Sequence, residues 1–368
     1  MDKTRSIAAR LQRTKLFAPS ARTRLVERPQ LLERLNQIQS PGYKAALISA
    51  PAGSGKTTLV IQWLASVDHW PSGWVSLDER DNRPELFFGY LIAALQGVVP
   101  GVGNPTLELL QLPGAKLEDA ITLLANDLAN APGPFVLILD DLHTITNPVL
   151  YQAIDLLVDA QPPQMRTVIL TREDPPLHLA RRRVNNQLVE LRQDDLRFSL
   201  SEAVDFLNHS MDLRLTTGQV EILENRTEGW IAGLQMAALS LQHSNDVDQF
   251  IHDFSGSHRF ILDYLMDEVF TNQRADIQAF LLETSILERM CANLCAAITG
   301  VSVTVAQELL EHLVKTNLFV YSLDEKRLWY RYHHLFADLL LVKLQNEGVE
   351  RANRLFRRAS DWYEGHPG

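Results

Sequence analysis

One nine-residue segment, Ala-Pro-Ala-Gly-Ser-Gly-Lys-Thr-Thr at positions 50–58, constrains the possible fold of this chain more than any other feature. It directly follows the apolar run at 45–49 and directly precedes a run at 59–67 in which apolar residues recur at helical spacing. A glycine-rich turn between a strand and a helix is typical of a phosphate-binding loop, because its backbone amides and the helix N-terminus both face the anion. The sequence therefore predicts a nucleotide-binding α/β domain; the alternative is a glycine-rich turn with an incidental lysine.

The residues of this loop, here called the P-loop, have distinct expected roles. Lys56 should reach the β and γ phosphates of ATP or ADP, Thr57 should place its hydroxyl on Mg²⁺, and Thr58 should contact the α phosphate. The strict pattern has glycine where this sequence has Ala50, and alanine fits there if its φ angle is negative. The predicted cofactor-binding residues of the loop are Ala52, Gly53, Ser54, Gly55, Lys56, Thr57 and Thr58.

A second apolar run, 135–139, ends in two carboxylates, Asp140 and Asp141, as a Walker B strand does. We expect Asp140 to orient Mg²⁺ through water and Asp141 to polarise an attacking water, which makes them the candidate catalytic pair. The next β-type run ends at Arg172, which should lie beside the γ phosphate because the tips of neighbouring parallel strands share one cleft. The alternative for Arg172 is a surface arginine at the end of a strand.

The order of periodic segments predicts three domains. Short β-type runs alternate with helical ones over 1–197, which indicates a doubly wound parallel sheet of the P-loop NTPase class. A capping box of Ser199 with Glu202 opens an all-α domain over 198–284. The order helix, helix, hairpin over 285–368 is that of a winged helix, and residues 98–114, rich in glycine and proline, are expected to form a loop.

Charge and composition exclude several classes of protein. A formal net charge of −10 disfavours strong nucleic-acid binding by this segment, and the basic run at 181–183 is interpreted as a solvated helix face rather than a nucleic-acid patch. The two cysteines, Cys291 and Cys295, are four residues apart, a spacing that suits packing better than a disulfide. No apolar stretch is long enough to span a bilayer, and residues 1–5 lack the apolar core of a signal peptide, so we expect a cytoplasmic protein without membrane contacts.

Several motifs together resemble the signal-transduction ATPases with numerous domains, and among them the MalT-like large ATP-binding regulators of the LuxR family. Besides the P-loop, they are Leu-Ile-Leu-Asp-Asp-Leu-His at 137–143, Leu-Thr-Arg at 170–172, Gly-Trp-Ile-Ala-Gly-Leu-Gln at 229–235 and Tyr-Arg-Tyr-His-His-Leu-Phe at 330–336. The resemblance implies that His333, chosen over His334, reaches the β phosphate of ADP. It also implies that Val26 and Arg28 lie in a segment over the adenine, where the alternative is a plain entry into the next helix.

The same resemblance implies a function. ADP would hold a closed resting state, ATP and an inducer or regulatory protein would open it for self-association, and weak ATP hydrolysis would reset it. The family continues with a sensor domain and a DNA-binding helix-turn-helix, and since the sequence stops at Gly368 we expect a truncated form of a longer regulator. The competing hypotheses are a P-loop enzyme, either a kinase or a motor-type ATPase, and a scaffold that binds nucleotide only for stability.

Overall fold

A computed structural model describes residues 11–20, 24–67, 70–244, 246–256 and 258–366. The N-terminal residues 1–5, from which the lack of a signal peptide is predicted, lie outside the described residues. The chain forms two compact units. The described part of the first unit comprises 11–20, Glu27–Ala50 and Gly55–Leu196, and the second unit comprises Arg24–Val26, Pro51–Ser54 and the chain from Arg197 onward. The P-loop is therefore divided between the two units at Ser54.

The first unit is built on a five-stranded parallel sheet with the strand order β2-β3-β4-β1-β5. The strands are β1 Ala45–Ser49, β2 Ser72–Ser76, β3 Phe135–Asp140, β4 Met165–Thr171 and β5 Leu188–Arg192. Every residue of β1, β3 and β4 is buried, as expected for parallel strands covered on both faces. The predicted sheet is confirmed, with strand ends shifted by at most two residues.

Eight helices accompany this sheet in the described residues of the first unit. They are α1 Pro29–Asn36, α2 Lys56–Ser66, α3 Pro84–Gln96, α4 Asn104–Leu110, α5 Leu117–Leu128, α6 Pro148–Ala160, α7 Leu179–Val184 and α8 Gln193–Leu196. Two apolar cores form, one with side chains of α1 and α2 and the other with side chains of α3, α5 and α6. The sheet is thus covered on both faces, which confirms the doubly wound α/β class.

The predicted loop at 98–114 is wrong, because α4 lies within it. Gly103 takes a positive φ of 75° at the N-cap, and its amide donates to the Asp127 carboxylate over 3.0 Å. Pro105 occupies the first turn, where a missing amide proton costs nothing, and Thr106 is buried. The glycine and proline that favoured a loop therefore begin a helix.

The interpretation of residues 181–183 as a solvated face is wrong for its central residue. Arg182 is only 2% exposed, and its guanidinium contacts the carboxylates of Asp155 and Asp159, the latter over 2.8 Å. Arg183 pairs with Glu190 over 2.6 Å. Because acidic partners neutralise these arginines, the run stabilises the first unit and presents little free positive charge.

A short turn at Arg13–Leu16 lies beside β2, which is an edge strand of the sheet. Its buried Lys15 donates to Asp81 over 2.5 Å, contacts Asp78 over 2.8 Å and lies 4.9 Å from the centre of the Tyr90 ring. The amide of Gln12 donates to the Tyr90 hydroxyl over 2.9 Å. The turn is thus fixed to the first unit by a buried ion pair and a hydrogen bond.

The second unit is helical apart from one hairpin. Its helices are α9 Leu200–Val204, α10 Thr217–Thr227, α11 Ile231–Leu241, α12 Val247–Asp253, α13 Arg259–Leu265, α14 Ala275–Thr284, α15 Ala292–Thr299, α16 Val303–Lys315, α17 His334–Glu347 and α18 Val349–Gly365. The hairpin strands are β6 Val320–Ser322 and β7 Tyr330–Tyr332. The order α15, α16, hairpin is the predicted winged helix, and the predicted capping box at Ser199 is present. The domain boundaries at 197/198 and 284/285 stay predictions.

Two further predictions concern single side chains and membrane segments. Cys291 and Cys295 are both free thiols, and Cys295 is fully buried in the apolar core of the second unit. In the part of the chain that the structure describes, no single helix has the length and apolar composition to cross a membrane. The bent pair α15 and α16, at 113°, meets that test only by length and composition, and both helices contribute side chains to the same core.

Candidate nucleotide-binding site

The P-loop has the backbone that its sequence predicts. Gly53 and Gly55 take positive φ angles of 72° and 79°, while Ala50 is not among the residues with positive φ. Glycine adopts this region without steric cost, so the loop can turn sharply and direct its amides at an anion. The buried Lys56 amine folds back and donates to the Ala50 carbonyl over 2.8 Å. Burial, followed by the charge of Arg172, lowers the pKa of Lys56 to about 8.

A hydroxyl and a carboxylate meet at the start of α2. The Thr57 hydroxyl lies 3.3 Å from both carboxylate oxygens of Asp140, at the end of β3. Burial and the neighbouring Asp141 raise the pKa of Asp140 to about 7, against the opposing effects of Thr57 and Lys56. Oxygen ligands with a buried, poorly solvated negative charge fit Mg²⁺, which is commonly held by one or two protein groups together with phosphate and water. The described residues contain no cluster of three or more metal-binding side chains.

Three further residues of the first unit, Asp141, Arg172 and His143, lie near Lys56. Asp141 takes a positive φ of 57° and is followed by the turn at Leu142–Thr144. This turn places the Nδ1 of His143 3.9 Å from the carboxylate of Asp141. Burial, then the charges of Arg172 and Lys56, lowers the pKa of His143 to about 3. Its buried Nδ1 finds no hydrogen-bond partner among the described residues. The structure therefore brings the predicted Lys56, Asp140, Asp141 and Arg172 together.

His143 is a site residue that sequence reasoning missed. His143 is the last residue of the motif at 137–143. The sequence does not show how the chain turns after β3, so the motif alone does not predict that the imidazole lies beside Asp141. The spacing gives no signal, because residues three apart share one side of a 3₁₀ turn and His143 lies only two residues after Asp141.

The two residues predicted over the adenine fall in different units. Arg28 is buried in the first unit, and its guanidinium donates to the Leu196 carbonyl over 2.8 Å and to the Asp195 carbonyl over 3.3 Å. Val26 is buried in the apolar core of the second unit. An adenine contact through their backbone stays a prediction. In the P-loop itself, Ser54 is buried and Thr58 is exposed.

Within the second unit, the P-loop segment at 51–54 is bonded to the start of α11. The Trp230 indole Nε1 donates to the Ala52 carbonyl over 3.0 Å, and the Ala232 amide donates to the Gly53 carbonyl over 3.1 Å. A Cβ on Gly53 would lie 2.4 Å from the Ala232 Cβ. The carbonyls of Ala52 and Gly53 thus accept hydrogen bonds from groups that follow Gly229.

His333 occupies a buried position at the N-cap of α17, and it is only 1% exposed. Its Nδ1 accepts from the Leu335 amide over 3.2 Å, so the proton resides on Nε2, which donates to the Thr227 carbonyl over 2.9 Å. Burial lowers the pKa of His333 to about 4, which keeps the imidazole neutral at pH 7. Since both ring nitrogens have protein partners, a phosphate contact requires Nε2 to leave the Thr227 carbonyl, and that contact stays a prediction.

A buried ion pair joins Glu228, which precedes the motif at 229–235, to Arg331 in the motif at 330–336. Glu228, in the left-handed region at a φ of 50°, receives two hydrogen bonds of 2.8 Å from the Arg331 guanidinium. It also accepts from the His334 amide over 3.1 Å, and the exposed His334 ring places its Nδ1 3.3 Å from the same carboxylate. Burial alone would raise the pKa of Glu228, but the Arg331 bond and the adjacent His333 prevail and lower it to about 2. Glu228, two residues before Trp230, is therefore bonded to Arg331 and His334, which lie on either side of His333.

Comparison with known proteins assigns families to both units. The AAA ATPase domain family matches residues 23–179, and the MalT winged helix domain family matches residues 266–352. A Walker-type ATPase of Pyrococcus abyssi superposes with a TM-score of 0.61 over 88% of this chain and 98% of its own length. At 15% identity this likeness concerns the fold alone.

The sequence relatives are HTH-type transcriptional regulators named MalT. That of Yersinia enterocolitica is 36% identical over 353 residues, which cover 95% of this chain and 38% of the relative. That of Yersinia pestis (strain Pestoides F) is 36% identical over 339 residues, covering 91% and 37%. This chain thus spans less than two fifths of the length of these relatives. Together with the P-loop geometry and the winged helix, these matches identify the chain as a MalT-like P-loop ATPase.

Proposed function

We propose that this chain is the ATP/ADP-binding switch of a MalT-like transcriptional regulator. ADP holds it closed at rest, ATP and an inducer open it for self-association, and slow hydrolysis of ATP to ADP resets it. A nucleotide moves such an equilibrium only if its binding free energy differs between the two states. The observation that carries the proposal is the contact of Trp230 with both the P-loop carbonyl of Ala52 and the ring of His333, whose centre lies 5.9 Å away.

The geometry described above supports a role for each site residue. The P-loop amides and Lys56 bind the phosphates, and Arg172 neutralises the γ phosphate. Thr57 and Asp140 hold Mg²⁺, which when bound neutralises charge that develops on the transferred phosphoryl group. Asp141 accepts a proton from the attacking water, and Val26 and Arg28 border the adenine.

The other partners follow from the same proposal. In the proposed regulator, the inducer or regulatory protein acts through a sensor domain, and DNA is bound through a helix-turn-helix. The proposal includes a cytoplasmic location and no membrane partner.

The first test is the nucleotide that copurifies with the protein. Denaturing the purified chain and separating the released nucleotide by chromatography should yield ADP at near one equivalent. An empty site would favour weak, freely exchanging binding and contradict an ADP-locked resting state.

The second test separates His333 from its structural role at the N-cap of α17. His333→Ala should accelerate release of a fluorescent ADP analogue by roughly tenfold, which corresponds to loss of one hydrogen bond to a charged group. Ser302→Ala is the matched control, because Ser302 caps α16 by accepting from the Val305 amide over 3.2 Å. The locking role is refuted if both variants release ADP at the wild-type rate, or if both accelerate it equally.

The two alternative functions give different results in the same preparations. An enzyme in its own right, such as a kinase or a motor, would show rapid steady turnover of ATP. A nucleotide-stabilised scaffold would lose only thermal stability in Lys56→Ala, whereas a switch would also lose its response to ATP.

A further inference from the structure

The P-loop has two sets of backbone groups, and the proposed function uses only one of them. The proposed function directs the amides at an anion, whereas the carbonyls of Ala52 and Gly53 accept hydrogen bonds from the Trp230 indole and the Ala232 amide. Trp230 is the N-cap residue of α11, and Ala232 lies in the first turn, where backbone amides lack intrahelical partners. The peptide groups that shape the loop are therefore fixed by the beginning of a helix about 180 residues later in the sequence.

The same indole is packed against the winged-helix part of the second unit. Trp230 is 5% exposed, and its ring centre lies 5.0 Å from Phe319 and 5.9 Å from His333, edge to face in both cases. Its third aromatic neighbour is Tyr264 at 5.7 Å. One rigid side chain thus contacts the loop backbone through its nitrogen and the surroundings of His333 through its ring.

We propose that Trp230 is a positioning residue that fixes the conformation of the P-loop and couples that conformation to His333. An indole N–H lies in the plane of its ring, so the bond to Ala52 depends on the ring's orientation. Repacking of Phe319 or His333 reorients the ring and removes this bond; conversely, a change in the Ala52 peptide moves the ring against His333. Such coupling is reciprocal between the two ends. Trp230 acts through the loop and needs no contact with the nucleotide.

The coupling part rests on the proposed function, because it requires that nucleotide binds at the P-loop. The positioning part does not, since the bond to Ala52 joins two groups of the protein itself. A tryptophan that merely fills the core would affect the unfolding free energy but would not link the loop's amides to His333. The two interpretations are separated by measurements at the loop itself.

The test compares Trp230→Phe with Trp74→Phe. Phenylalanine keeps a ring and removes the N–H, and Trp74 is a matched control because it is 2% exposed and its Nε1 donates to the Ser76 hydroxyl over 2.9 Å. In nucleotide-free protein, Trp230→Phe should increase hydrogen exchange of the amides of 52–55, while Trp74→Phe should leave it unchanged. Titration calorimetry should show ADP binding weakened about fivefold to tenfold in Trp230→Phe and by less than twofold in Trp74→Phe.

A double-mutant cycle with His333→Ala measures the coupling. If Trp230 and His333 act together, the ADP affinity lost in the double variant will differ from the product of the single losses by threefold or more. Unchanged exchange together with unchanged affinity in Trp230→Phe would overturn the whole inference and leave the proposed function standing. If the amides of 52–55 exchange faster in Trp230→Phe but the affinity loss of the double variant equals the product of the single losses, only the coupling part of the inference is overturned. Faster exchange in a protein that binds no nucleotide would support positioning, overturn the coupling, and count against the proposed function.

Discussion

Replacing Glu228 by glutamine tests whether the buried ion pair with Arg331 stabilises the second unit. Glutamine preserves the shape of the side chain but removes the charge that two 2.8 Å hydrogen bonds from Arg331 neutralise. The pKa of Glu228 falls from its ordinary 4.5 to about 2 on folding. A shift of that size corresponds to about 3 kcal/mol of stability, which we reduce to about 2 kcal/mol because Arg331 remains 27% exposed and solvent weakens its attraction.

The pH dependence of this contribution has a definite sign. Because folding lowers the pKa of Glu228, its stabilisation is complete above pH 4.5 and is lost as the pH falls toward 2. Urea unfolding should therefore show Glu228→Gln less stable than wild type by about 2 kcal/mol at pH 7, and the difference should narrow by roughly 1 kcal/mol at pH 3.5. Asp276→Asn is the control, since its partner Arg274 is 75% exposed and surface pairs contribute at most about 1 kcal/mol. Equal stability of Glu228→Gln and wild type at pH 7, or a difference independent of pH, would refute the reasoning.

Two further predictions concern the nucleotide site. Because the pKa of Asp140 is raised to about 7, protons compete with Mg²⁺ for its carboxylate below that pH. The Mg²⁺ affinity measured with ADP present should therefore rise up to about tenfold per pH unit below pH 7 and level off above it. A flat profile between pH 6 and 8, or the same rise in Asp140→Asn, would contradict the assignment of Asp140 to the Mg²⁺ site. Gly53→Ala should abolish tight ADP binding, because alanine at a φ of 72° costs roughly 1–2 kcal/mol and its Cβ would also meet Ala232 at 2.4 Å. Gly300→Ala, at a φ of 82° with no atom within 4 Å of the new Cβ, should show only the backbone cost in thermal unfolding and bind ADP normally.

The features predicted correctly from sequence are those that local pattern determines. The P-loop is recognisable because strand, glycines, lysine and helix are contiguous, and the apolar runs that become β1, β3 and β4 are continuous because both faces of these strands are covered. The proximity of Asp140 to Thr57 is predictable for the same reason, since parallel strands end at one edge of a sheet.

The features missed depend on residues distant in sequence. The burial of Arg182 requires carboxylates from α6, and the bond from Trp230 to Ala52 spans 178 positions, so no local periodicity signals either. His143 was missed because its importance lies in an unpaired nitrogen within a buried charge cluster, which composition cannot reveal. The helix α4 was missed because Gly103 and Pro105 suit a helix start as well as a loop.

The turn at Arg13–Leu16 determines where this chain can be shortened without harm. An edge strand presents unpaired amides and carbonyls that can recruit a strand from another molecule, and β2 is such a strand. With Lys15 held by Asp78 and Asp81, the turn lies beside that edge. A version that begins after Leu16 should therefore self-associate through β2, as higher-order species on size-exclusion chromatography would reveal; a monodisperse product would show that the edge needs no shield. We therefore expect the solubility of the first unit to depend on a segment that lies outside the nucleotide site.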